Sequence, residues 1–94
     1  MDYVSLLNQV WQHHINLAVN TGVFVAPPIA DFTPVSGTTL HPVQWQCKLD
    51  FLDCTGQAVN TSKALAKQDA ARQIAWQLHR QGKLSGYTIR WRFN

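Results

Sequence analysis

The sequence predicts an α+β domain in the order helix, strand, strand, strand, helix, and three of its features carry that expectation. Apolar residues recur at three- and four-residue spacing from Tyr3, apolar and polar residues alternate from Gln44 to Phe51, and an alanine-rich helical stripe follows Ser62. A chain of 94 residues, 46% of them hydrophobic, is enough for one core and too short for two. Its aromatic residues would bury large areas, which argues against disorder. We expect one domain over residues 1–82, with both helices packed on one face of a three-stranded antiparallel sheet, and a C-terminal extension over 83–94.

The first helix buries Tyr3, Leu6, Leu7, Val10, Trp11, His14 and Ile15 along one stripe, and Asp2 can cap its start. Its opposite face carries Ser5, Asn8, Gln9, Gln12 and His13, a neutral surface rich in hydrogen-bonding groups. Residues 16–28 read as an insertion-like connector, because Asn20-Thr21-Gly22 suggests a helix stop and Pro27-Pro28 excludes regular structure. Ala30 to Val35 suits an edge strand, where Pro34 is tolerated, and Ser36-Gly37-Thr38-Thr39 a turn.

In the next strand Trp45, Cys47, Leu49 and Phe51 face the core, against outward Gln44, Gln46, Lys48 and Asp50. Asp53-Cys54-Thr55-Gly56 has turn chemistry, and Gln57-Ala58-Val59 is the returning strand of a hairpin. Ser62 then caps a helix from Lys63 to about Gln81, which buries Ala66, Ala70, Ala71, Ile74, Ala75 and Leu78. After Gly82 and Gly86, the alternation of Tyr87, Ile89, Trp91 and Phe93 with Thr88, Arg90, Arg92 and Asn94 predicts an extra C-terminal strand.

Lysine and arginine outnumber the acids by three, and the calculated pI of about 9.2 agrees with a polyanionic partner. No signal peptide or bilayer-length apolar run precedes Cys47 and Cys54, so the thiols are expected reduced in an intracellular protein, cytoplasmic or nuclear, with no membrane partner. The five acids, Asp2, Asp31, Asp50, Asp53 and Asp69, lack the clustering of two-metal nuclease sites. His13-His14 and the two cysteines lack zinc-site spacing. We expect no catalysis, no metal and no cofactor.

Lys63 and Lys67 fall four apart at the start of the second helix, on one face. Cations there are unfavourable to the isolated helix, whereas free amides and lysines together would hold an anion. The same spacing also suits a solvated lysine pair.

The element order and this helix start resemble the double-stranded-RNA-binding domain family over roughly residues 2–82. Ser62-Lys63-Ala64-Leu65-Ala66-Lys67, with Ala70-Ala71 after it, is similar to the family's opening of a serine or threonine and Lys-Lys-x-Ala-Lys, with Ala64 replacing the middle lysine. Leu7-Asn8-Gln9 resembles the family's Leu-(Asn/Gln)-Glu signature, with glutamine replacing glutamate. Pro27-Pro28-Ile29-Ala30-Asp31-Phe32 resembles its proline-led first strand, with Phe32 at the aromatic position. The family's Gly-Pro-x-His loop is matched by Gly37 to His41, with one extra residue and no proline, and Trp45 lies four after the histidine.

The resemblance implies binding of double-stranded RNA without sequence preference. Asn8, Gln9 and Gln12 or His13 would meet ribose hydroxyls in one minor groove, His41 would enter the next, and Lys63 and Lys67, with the Ser62 helix start, would meet phosphates between them. Such a footprint covers about 16 base pairs. RNA silencing or RNA processing would be the setting. The longer connector, Gln9, Ala64 and the apolar tail fit an alternative: a protein-interaction or homodimerisation module of the same fold, joined through Tyr87–Phe93 or the sheet.

Overall fold

The computed structural model describes residues 2–35 and 43–87. Helix α1 (Tyr3–Ala18) is followed by strands β1 (Ile29–Val35), β2 (Gln44–Phe51) and β3 (Cys54–Asn60), then helix α2 (Lys63–Arg80). This is the expected α-β-β-β-α order. The strands form one antiparallel sheet in the order β1-β2-β3, with β1 at one rim carrying Pro34. α2 lies across β2 and β3, and α1 packs against α2. The core joins Leu6, Leu7 and Val10 of α1 to Cys47, Leu49, Phe51 and Cys54 of the sheet. From α2 it takes the same six residues that the alanine-rich stripe predicts.

Asp2 caps α1 as expected. Its carboxylate accepts the Ser5 N–H at 3.0 Å and the Ser5 hydroxyl at 2.7 Å. Gln68 of α2 reaches the same place: its Nε2 donates to Asp2 at 2.7 Å, and its Oε1 accepts the Tyr3 N–H at 2.9 Å. These hydrogen bonds, led by that from Gln68, lower the Asp2 carboxyl from 3.8 to about 2. A carboxyl depressed in the folded state stabilises it fully above the unfolded value. That contribution is lost as pH falls from 3.8 to about 2. Thermal melts across this interval should show a smaller acid-induced decline for Asp2→Asn than for wild type; equal declines would exclude Asp2 as a source.

α1 runs to Ala18, so its last turn includes residues 16–18 of the expected connector. Asn16, Leu17 and Ala18 contain no helix breaker, and propagation continues until the turn that Gly22 permits at φ 71°. The rest of the connector is anchored to α1, since the Trp11 indole N–H donates to the Val25 carbonyl at 2.9 Å.

The hairpin also differs from the sequence expectation. The turn is Leu52-Asp53, both at positive φ (48° and 63°), and Phe51 pairs with Cys54. Cys54, Thr55 and Gly56 therefore belong to β3. A two-residue turn with both residues left-handed matches the twist of paired strands, and aspartate tolerates that conformation better than most residues. Gly56, which has the composition of a turn residue, serves packing: a Cβ there would lie 2.1 Å from the Ala70 carbonyl oxygen.

β3 forms the second rim of the sheet, and α2 covers it. Gln73 exchanges two hydrogen bonds with the backbone of Gln57, at 2.9 and 2.7 Å, and the Gln77 amide donates to the Thr55 carbonyl at 2.8 Å. Gln73→Ala should cost about 1 kcal/mol, because water replaces part of what is lost at this exposed edge. Urea unfolding measures it, and faster exchange of the Gln57 amide is the local sign.

α2 ends in a Schellman arrangement. The Lys83 N–H reaches the Leu78 carbonyl and the Gly82 N–H that of His79, each at 3.0 Å, with Gly82 at φ 73°. The chain then turns back so that Leu84 is buried in the core, which carries the packed unit past Gly82. Tyr87 packs edge-on to His13 of α1, with centroids 5.9 Å apart. The remaining tail positions expected to form a strand, Thr88 to Asn94, lie outside the described residues, as do the Ser36–Thr39 turn and His41.

Candidate nucleic-acid interface

The start of α2 is built from the end of β3. The Asn60 side chain accepts the Ser62 N–H at 3.2 Å, and the Ser62 hydroxyl accepts the Leu65 N–H at 3.3 Å, completing the cap. The amides of Lys63 and Ala64 precede the intrahelical ladder and can serve an external acceptor. Ser62 thus contributes mainly as the cap that fixes where these amides point.

Lys63 and Lys67 both project from this start, in different surroundings. Lys63 is exposed, and its Nζ lies over the Trp45 ring at 4.1 Å from the centroid, with the Phe32 ring at 5.8 Å. Lys67, one turn on, is half-buried. Its charge reaches the buried Cys47 thiol, where it partly opposes the upward shift caused by desolvation and, to a lesser extent, by Asp31. The Lys63 ammonium group therefore lies toward the β1–β2 side of α2. Trp45 and Phe32 are on the core-facing side of the sheet, as their alternation requires, and both are half-buried.

On α1, Asn8, Gln9, Gln12 and His13 are all exposed, and with Ser5 and Asn16 they border one open groove. His14 is half-buried and turned back onto its own helix, with Nδ1 2.8 Å from the Val10 carbonyl, so that nitrogen carries the proton. The α1 face and the α2 start meet through Gln68, which holds the first residues of α1 one helical step beyond Lys67. Sequence reasoning missed Gln68 and the stacking of Lys63 on Trp45. His41 cannot be placed beside either patch, since it lies outside the described residues.

Over 82 residues, or 87% of its length, the chain is 56% identical to the non-structural protein ORF4a of Middle East respiratory syndrome-related coronavirus, of which the match covers 75%. It belongs to the coronavirus non-structural protein ORF4a/3b family. Similarity extends over 94 residues at 40% identity to non-structural protein 3b of bat coronavirus HKU5, covering 100% of this chain and 79% of that protein. With the 3b protein of bat coronavirus HKU4 the identity is 44% over 95 residues, covering 98% and 80%. No protein-family model matches the chain.

Proposed function

We propose that this coronaviral non-structural protein binds double-stranded RNA through its shape and backbone, without sequence preference. The observation that carries the reading is the Ser62-capped start of α2, which brings Lys63, Lys67 and unladdered amides together in the first turns of one helix. The amide-rich face of α1 supplies the second element: Asn8, Gln9 and Gln12 can both donate to and accept from ribose hydroxyls. An RNA duplex of A-form offers those hydroxyls in a shallow minor groove, and a DNA duplex does not.

Titrations against matched RNA duplex, DNA duplex and single-stranded RNA, each at two salt concentrations, test this. RNA duplex should bind best, with affinity falling as salt rises. Equal affinity for the RNA and DNA duplexes would defeat recognition by shape. A second reading, a protein-interaction or homodimerisation module, draws on the exposure of Phe24 (84%), Val19 (72%) and Val23 (63%). A stable dimer by sedimentation with no duplex binding would select it.

A further inference from the structure

We infer that Trp45 is a positioning residue for Lys63, holding its ammonium group ready for a phosphate of the RNA duplex. The inference rests on the RNA-binding reading above and adds what orients the cation. A lysine stem is long and loses much rotamer freedom when its end group is fixed. In this fold that freedom is already reduced, because Nζ sits 4.1 Å from the Trp45 ring centroid and 5.8 Å from that of Phe32.

An aromatic face attracts a cation without accepting a conventional hydrogen bond. The Lys63 N–H donors that point away from the ring thus stay available and the charge is kept, whereas a carboxylate partner would neutralise it. The rings are themselves fixed. Trp45 stands opposite Pro34 and Asn60, and Phe32 opposite Cys47, in one sheet register. Asn60 also holds Ser62, so the same strand end that places the ring partner places the residue before Lys63.

The test compares Trp45→Leu, Trp45→Phe, Lys63→Met and the double variant Trp45→Leu/Lys63→Met with wild type against one RNA duplex, after melting curves establish that each is folded. Trp45→Leu should weaken binding roughly two- to five-fold, the scale of an exposed cation–π contact. The slope of log K against log salt should stay unchanged, because no charge is removed. Trp45→Phe should recover most of the loss, and Trp45→Leu should add nothing in the Lys63→Met background. In the RNA-free protein the Lys63 methylene protons should be shifted upfield by the ring, and this shift should vanish in Trp45→Leu and persist in Trp45→Phe.

Unchanged or tighter RNA binding by Trp45→Leu, with wild type binding normally, overturns the positioning role alone. The same loss in the Lys63→Met background also overturns it, by showing that Trp45 acts elsewhere. Absence of duplex binding by wild type overturns the RNA reading, and the role of Trp45 with it.

Discussion

The double variant Lys63→Glu/Lys67→Glu is expected to bind duplex RNA at least about a hundred-fold more weakly than wild type. Two charge-assisted contacts of about 1.5 kcal/mol each account for that factor before the repulsion of the new carboxylates is added. The residual binding should also show a salt slope shallower by about 2, since two fewer phosphate counterions are released. Stability should change little. Carboxylates in the first turns favour the helix dipole, which offsets the lost stacking of Lys63 on Trp45. Thermal melts and titrations therefore separate cleanly: normal folding with lost binding supports the proposed interface, and retained binding by a folded double variant removes it.

Gly56→Ala should produce the largest loss of stability of any single methyl added to a glycine among the described residues. The new Cβ would stand 2.1 Å from the Ala70 oxygen, 2.9 Å from its carbonyl carbon and 3.2 Å from its Cα. All three are backbone atoms, so no side chain can swing away. Either α2 lifts from β3 or the strand bends, and both disturb Ala66, Ala70 and Ala71. The expected cost is about 3 kcal/mol or more, at the upper end for an overpacked core. For a domain of this size that lowers Tm by upward of about 12 °C. The control is Gly22→Ala, which meets no atom within 4 Å and carries only the backbone cost of a positive φ. If Gly56→Ala melts like wild type, the helix does not approach β3 this closely.

The elements were legible where burial imposes a period. The α2 stripe from Ala66 to Leu78 and the Cys47, Leu49, Phe51 alternation are one-sided patterns that composition cannot disguise. The hairpin was less legible because glycine and aspartate mark both turns and close packing. Placing the turn at Asp53–Gly56 pairs Leu52 with Gln57 and so sets Trp45 opposite Ala64. The observed Phe51–Cys54 pairing sets it opposite Asn60 instead. With that register, the nearness of Trp45 to Lys63 follows from the short path through Ser62. Gln68, Gln73 and Gln77 carried no signal of their own, since exposed glutamines on a helix look alike until the sheet beneath them is known. The proposed contacts of Asn8, Gln9 and Gln12 come from the family resemblance, and the structure adds only that they share one exposed face.

The glutamine cover on β3 makes the sheet polar in its capacity to grow. β1 ends the sheet on the other side, with no further strand among the described residues. A β-sheet open at both rims can add strands without limit, as fibrils do. One open at a single rim behaves as a chain terminator: two copies meeting β1 to β1 about a two-fold axis would leave only covered rims outward, and the addition stops there.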